Sequence, residues 1–409
     1  MNKSETIVLV LGGGTNALGQ IRAAHSAGYM CVNLAEKNMH CYTTKSNKCK
    51  GYISPHPYKQ REACLEFTMN IIKSLPSKPF IFCASDEWMN LIGENESLFQ
   101  EVAIIIQSSW EKTQTLYNKK LLYRIAEKYG IPYPMTMEID SLKDMGEAIT
   151  GITMPIIVKP QLTVSQNDVK ESTIKAYHRT QTFSTIDDAR SWCDSMVEAG
   201  LDFPVLIQEF IPGGADHLYT LTSFSDREGN LVAGSIGYKL RQFPPEAGRI
   251  TSGVLHYDQQ LEEIARSFLK AVSYYGVANT EFKYDARDGK YKLMEINARF
   301  GAWNYSTLFS GINLMKIAIE DYRGVQYSGS TFSNEKEGYI WYNFAQDFGC
   351  TVILNKKQQF KKFRLTPLQW KHSLGSKHFE AVWDWKDPKP FIFELFYLIE
   401  GKLKGDSPV

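Results

Sequence analysis

Thr280-Glu281-Phe282-Lys283-Tyr284-Asp285, a turn at Arg287-Asp288-Gly289, and Leu293-Met294-Glu295-Ile296-Asn297-Ala298-Arg299 form the stretch that decides the fold. Val277 to Asp285 alternates and is rich in aromatics, which predicts a strand. Gly289 can supply the positive φ of a tight turn. Lys290 to Asn297 reads as the returning strand. With a three-residue loop, Ala286 pairs with Lys290 and Glu281 falls opposite Glu295. Asn297, two residues on, shares that face, and Arg299 stands just beyond. Two opposed carboxylates repel unless a positive charge lies between them. A hard divalent cation such as Mg2+, holding phosphate oxygens on its other side, meets that need. The competing reading is an exposed hairpin with solvated charges. Leu293, Met294 and Ile296 count against it, because they make the second strand read as buried.

The chain has 409 residues, too many for one ordinary core, so two or three domains are expected. Its hydrophobic fraction of 43% is that of a globular protein. A net charge of +1 supplies no global field toward nucleic acid or acidic membrane. Seven cysteines lack any CxxC pair or metal-ligand spacing and read as reduced thiols of a cytoplasmic protein. No apolar run approaches a membrane span, and no signal-peptide core stands at the N-terminus.

Ile7 to Leu11 is an unbroken apolar run, as in a parallel strand covered on both faces. A glycine-rich turn, Gly12 to Ala17, leads into a helical stretch closed by Gly28. Further strands are expected at Tyr29 to Leu34, Pro79 to Ala84 and Val102 to Ile106. Alternation of strands and helices predicts an open parallel sheet with its ligands at the carboxyl ends. Gly12-x-Gly14-x-x-Ala17 with Glu36 downstream matches a dinucleotide fingerprint, which raises an NAD-dependent oxidoreductase. It is equally a compact turn able to hold any anion at a helix start. Ser85-Asp86-Glu87 ends a strand. Asp86 and Glu87 could hold a cationic amine, or simply open the helix Glu87 to Leu98.

In the middle, Asn118 can cap a helix whose first turn carries Lys119 and Lys120, against the dipole unless an anion is near. Pro155 to Pro160 is a short buried strand from which Lys159 emerges, a costly position unless its amine meets a partner. Gln161 to Ser172 is a polar loop, Ile174 to Thr180 a strand, and Thr185 opens a helix closed by Gly200. Val205 to Ile211 is a strand stopped by Pro212-Gly213-Gly214. Asp216, two more strands (His217 to Ser225 and Leu231 to Leu240) and a helix capped by Asp258 then lead to the opening hairpin. This section is α+β and largely antiparallel.

Taken in order, Asn118-Lys119, Ile157-Val158-Lys159-Pro160, Gln208-Glu209-Phe210-Ile211-Pro212-Gly213, Glu281-Phe282 and Glu295-Ile296-Asn297-Ala298-Arg299 resemble the ATP-grasp family, over Asn118 to Arg299. The preceding sheet resembles the Rossmann-like pre-ATP-grasp domain. Ser85-Asp86-Glu87-Trp88 and Asp387-Pro388-Lys389-Pro390 are similar to segments of carboxylate–amine ligases of the D-aspartate ligase-like kind. The resemblance implies three parts: an open parallel-sheet domain (1–115), an ATP-grasp domain with largely antiparallel sheets (116–325) and an aromatic-rich C-terminal segment (326–409). It implies that Lys119 and Lys159 meet the triphosphate, that Gln208, Glu209, Phe210 and Ile211 meet adenine, and that Asp216 meets ribose. Glu281, Glu295 and Asn297 would hold one or two Mg2+, with Mn2+ as a substitute. Arg299 would clamp the transferred phosphoryl. Lys239 and Arg241, leaving one strand on one face, would hold a substrate carboxylate. Ser85, Asp86 and Glu87 would meet substrate, and Gln161 to Ser172 would close over phosphates, although it lacks the glycines usual in that loop.

The implied activity is ATP-dependent joining of a small carboxylate to an amine, both expected to be amino acids, through an acyl phosphate. A carboxylase or carbamoyl-type enzyme, the oxidoreductase, and a nucleotide-binding protein without catalysis are the alternatives. In the tail, Lys356 to Phe363 interleaves basic and aromatic residues but reads as a solvated face rather than a nucleic-acid site. Pro390 to Ile399 reads as a terminal helix packing on the body or on a second subunit, which leaves room for a homodimer. The weak net field counts against a membrane-surface role, and no stable membrane insertion is expected.

Overall fold

The computed structural model describes residues 6–38, 40–141, 152–160, 181–200, 204–245, 248–327, 331–333, 335–353 and 363–404. The loop expected at 161–172, the strand expected at 174–180 and nearly all of the run 356–363 lie outside them. The chain divides into two compact units. The larger comprises Met1–Asn118, Gly214–Phe282 and Glu295–Val409; the smaller comprises Lys119–Gly213 and Lys283–Met294.

In the larger unit, β1 (Ile7–Leu11), β2 (Met30–Glu36), β3 (Lys50–Ser54), β4 (Phe80–Cys83) and β5 (Ile104–Ile105) form a parallel sheet of order β3-β2-β1-β4-β5. β1 is central and buried at every position, which is why it reads as an unbroken apolar run. β3 lacks such a run because it is an edge strand, mostly half-buried or exposed. Val8, Val10, Phe80 and Phe82 pack with Leu314, Met315, Ala318 and Ile319 of the helix Leu314–Tyr322. The order of the sheet leaves the strand ends after β1, β2 and β4 side by side, and those ends build the site described below.

The smaller unit contains β6 (Thr136–Ile139), β7 (Ile156–Pro160), β8 (Gln181–Phe183) and β9 (Val205–Glu209), antiparallel in the order β6-β9-β7-β8. The helix Ile186–Glu198 is capped as expected, with Thr185 Oγ1 accepting from the Asp188 amide at 3.2 Å. Its Ala189, Cys193 and Met196 recur at helical spacing and fill a core with Ile156, Val158 and Ile207.

A second large sheet contains β10 (Leu218–Ser225), β11 (Leu231–Phe243), β12 (Arg249–Leu255), β13 (Gly276–Asp285), β14 (Lys290–Asn297), β15 (Thr331–Phe332), β16 (Ile340–Tyr342) and β17 (His378–Glu380). Its order is β14-β13-β10-β11-β12-β16-β17, with β15 also on β11. The turn between β13 and β14 spans four residues, Ala286 to Gly289, rather than three. The Gly289 amide closes it on the Asp285 carbonyl at 2.8 Å, so Ala286 belongs to the turn and does not pair with Lys290.

The seven cysteines form no disulfide. Burial pushes the thiols of Cys64, Cys83 and Cys350 up to about 12. No helix among the described residues is long and apolar enough to cross a membrane.

The expected terminal helix is present as Lys389–Lys404, its Phe391, Phe393 and Tyr397 packing on Trp303, Trp341 and Val382. Glu394 on this helix is 4% exposed and accepts from Asn343 Nδ2 at 2.9 Å. Burial first, and then the Glu380 carboxylate, push its carboxyl from 4.5 up to about 8. In that interval the folded chain holds a proton that the unfolded chain has released. The stability from this group is therefore complete below the unfolded value and is lost as pH rises through the folded one. Glu394→Gln keeps an acceptor for Asn343 and should raise the melting temperature at about pH 9 while flattening the decline above about pH 5. Thermal unfolding across that range checks it.

Candidate active site

A cavity of about 700 Å3 opens in the larger unit. One wall comes from the carboxyl ends of the parallel strands: Gly13 to Asn16 after β1, Glu36 at the end of β2, and Ala84 to Glu87 after β4. That is where open parallel sheets collect ligands. The other wall comes from the second sheet. Asn279 and Glu281 on β13, and Glu295 and Asn297 on β14, line it two residues apart, as one face of a strand requires. Phe282 and Ile296, one position off that period, turn to the buried side. Sequence periodicity therefore assigned Glu281, Glu295 and Asn297 to one surface, although the turn is a residue longer than expected.

Lys239 Nζ stands 3.5 Å from Glu281 Oε2, and also donates to the Gly248 carbonyl at 3.3 Å. Asn297 Nδ2 donates to Glu295 Oε1 at 3.4 Å. Arg299 donates from Nε and Nη2 to the two oxygens of Asp86 at 2.7 and 2.6 Å, a two-pronged pair, and from Nη1 to the Phe300 carbonyl at 3.1 Å. Burial alone would loosen the guanidinium proton, but the Asp86 hydrogen bonds and charge outweigh it and hold the group above its ordinary value.

The Ser85-Asp86-Glu87 segment thus divides its work. Ser85 Oγ caps the helix Asp86–Glu94 by accepting from the Trp88 amide at 3.4 Å. Asp86 holds Arg299 through both carboxylate oxygens. Glu87 is exposed at the cavity wall, and its side chain makes no hydrogen bond or ion pair among the described residues.

The dinucleotide reading of Gly12 to Ala17 fails on the same wall. The Gly14 amide donates to the His40 carbonyl at 2.9 Å, and a Cβ on Gly13 would come 2.5 Å from that oxygen. Gly13 is therefore small so that the chain at His40 can close on the turn, while Gly14 supplies a positive φ of 73°. Glu36, the expected ribose ligand, accepts instead from Trp88 Nε1 at 3.2 Å and Asn38 Nδ2 at 3.1 Å.

Lys239 and Arg241 were expected side by side, and the structure separates them. Lys239 pairs with Gly253 and Arg241 with Ser252, so the β11–β12 ladder carries a bulge between them that re-aims one side chain. Arg241 turns to Asp347, with Nε at 3.0 Å from Oδ1 and Nη2 at 2.6 Å from Oδ2, and gives Nη1 to Ser373 Oγ at 2.8 Å. It does not line the cavity; Arg249 does. Arg249 and His40 carry no motif and lie where periodicity is silent, so sequence reasoning missed them. Burial, with Arg249 nearby, pushes the His40 imidazole down to about 4, so it lines the cavity as a neutral ring.

In the smaller unit, Lys159 Nζ donates to Gln208 Oε1 at 2.8 Å. Gln208 is 1% exposed, and its Nε2 donates to Tyr123 Oη at 3.1 Å and Thr136 Oγ1 at 2.8 Å. Glu209 accepts from the Met135 amide and from Lys292 and Arg287, so its side chain is structural. Phe210 lies beneath the Lys283 ammonium at 5.1 Å, and Ile211 is buried. Lys119 opens the helix Lys119–Lys128. Asp216, in the larger unit, is exposed and meets His217 Nδ1 at 3.0 Å.

Residues 238–340 match the family model described as ATP-grasp in the biosynthetic pathway with Ter operon. The chain is 26% identical over 333 residues to the D-aspartate ligase of Enterococcus faecium (strain Aus0004), covering 78% of this chain and 77% of that protein. It is 19% identical over 309 residues to the C-terminal section of the carbamoyl phosphate synthase large chain of Methanopyrus kandleri, which is 71% of this chain and 53% of that protein. Among solved structures, the fold is similar to the L-amino acid ligase from Bacillus licheniformis, with TM-score 0.57 at 15% identity over 78% of this chain and 74% of that one. It is also similar to N5-carboxyaminoimidazole synthetase from Staphylococcus aureus, with TM-score 0.61 at 14% identity over 88% and 89%.

The two arginines should part company on substitution. Arg241→Gln strands the fully buried Asp347 and should cost about 3 kcal/mol. Arg249→Gln, at an exposed position, should change stability by less than about 0.5 kcal/mol. Chemical denaturation of both variants checks the assignment.

Proposed function

We infer that this chain, an ATP-grasp protein by family match, by relatives and by fold, is an ATP-dependent carboxylate–amine ligase. The observation that carries the reading is the convergence of Glu281, Glu295, Asn297, Lys239 and Arg299 on one cavity. Two carboxylates and an amide oxygen are a hard donor set that fits Mg2+, and structural neighbours include a biotin carboxylase domain in complex with MgADP. When bound there, the cation would neutralise charge on the phosphates.

In the reaction, an oxygen of the acid attacks the γ-phosphorus of ATP, the bond to the bridging oxygen breaks, and ADP departs. The amine nitrogen then attacks the acyl carbon, inorganic phosphate leaves, and the nitrogen sheds a proton. Arg299 is suited to hold the transferred phosphoryl, because its pair with Asp86 fixes the guanidinium in advance. Lys239 and Arg249 are the cations at this cavity wall for an acid substrate; Glu87 is the carboxylate for an ammonium group. In the smaller unit, Lys119 and Lys159 are proposed for the triphosphate, and the backbone of Gln208 to Ile211 for adenine. Asp216 is proposed for ribose. Gln208 orients Lys159 without cancelling its charge, which supports an anion-binding role. The names of the ligase relatives support amino acids as both acid and amine, and a cytoplasmic setting suits reduced thiols and ATP.

Purified protein with Mg2+ should release ADP only when a competent pair of amino acids is present, with the amide product seen by mass spectrometry. Absence of ADP across all amino-acid pairs would sink the reading. Glu295→Gln should lower ADP release by about a hundredfold or more while leaving the melting temperature unchanged.

A further inference from the structure

We propose that the outer face of the C-terminal helix Lys389–Lys404, together with Trp385, is a docking surface for an anionic lipid bilayer. Ile392, Phe396 and Ile399 are 56, 58 and 63% exposed, and Trp385 is 83% exposed. The three helix positions follow i, i+4, i+7 and so form one apolar stripe. The helix cannot turn this stripe inward. Its other side is already filled by Phe391, Phe393 and Tyr397 against the core and by the buried Glu394.

The charges of this region are sorted by sign. From Lys377 to Ile399 every acidic side chain is engaged internally. Glu380 accepts from the amides of Phe344 at 2.9 Å and Val382 at 2.6 Å. Asp384 pairs with Lys48 at 2.5 Å. Asp387, fully buried, accepts from Ser46 Oγ at 2.7 Å and the Asn47 amide at 2.9 Å. Glu394 accepts from Asn343. The lysines of the same segment, Lys377, Lys386 and Lys389, are all exposed. An apolar stripe, with Trp385, Lys386 and Lys389 leading into its helix, is therefore presented to solvent, although the whole chain carries a net charge of only +1. Such a surface complements the acyl boundary and negative headgroups of an anionic bilayer. A second copy of the chain suits it less well. A two-fold contact would set these lysines against their own copies, with the acids that might balance them facing inward.

The test is co-sedimentation of the full chain with vesicles of phosphatidylcholine alone or mixed with phosphatidylglycerol. Binding is expected to the mixed vesicles only, and to fade at about 0.5 M salt as headgroup charge is screened. The double variant Ile392→Glu, Phe396→Glu should lower the bound fraction about tenfold or more. Lys386→Glu with Lys389→Glu, which leaves the apolar stripe intact, should do so as well. Because all four positions are exposed, both variants should keep the parent melting temperature. Should the first variant fail to fold, the lysine pair decides alone. No binding to mixed vesicles, or equal binding to neutral ones, overturns the proposal. So does a dimer, seen by light scattering, that the apolar variant abolishes.

Discussion

The pair between Asp86 and Arg299 is the interaction on which the cavity depends. It joins the first turn of a helix after β4 to the chain just past β14, elements 213 residues apart in sequence. A largely buried guanidinium with one carboxylate on two prongs cannot wander. The amide of Asn16 supports the same junction, giving hydrogen bonds to the Ala84 carbonyl at 2.7 Å and the Phe300 carbonyl at 2.5 Å. Arg299 is thereby held as a fixed charge, and the neighbouring carboxylates on β13 and β14 act against a background that does not reorganise.

What the sequence disclosed depended on periodicity. Strands with continuous or alternating apolar character, β1 and β13 among them, were legible because burial writes itself into residue type every one or two positions. The carboxylate face was legible for the same reason: Glu295 and Asn297 are two apart whatever the turn does. The edge strand β3 was not, since a half-exposed edge imposes no pattern.

The errors in the site arose where the backbone breaks its own period. A bulge after Lys239 sent Arg241 to the buried Asp347, and no residue type between them announces it. Arg249 and His40 reach the cavity from turns and strand ends, where side-chain direction is set by tertiary contacts. The pairing of Asp86 with Arg299 was not legible, because the two lie 213 residues apart along the chain. The glycines at 12 to 14 carried a familiar spacing whose causes are local: positive φ at Gly12 and Gly14, and room for the His40 carbonyl at Gly13. Net charge likewise concealed how charge is sorted between Lys377 and Ile399, where the acids are engaged internally and the lysines are exposed.

Gln208 sits between Tyr123, Thr136 and Lys159 with every polar atom of its amide in use. Its acid counterpart is one nucleotide away in the genetic code and nearly identical in shape. That single codon step would exchange a neutral acceptor for a negative charge beside Lys159. The charge that Lys159 presents to its surroundings is therefore adjustable by a point mutation at a buried neighbour.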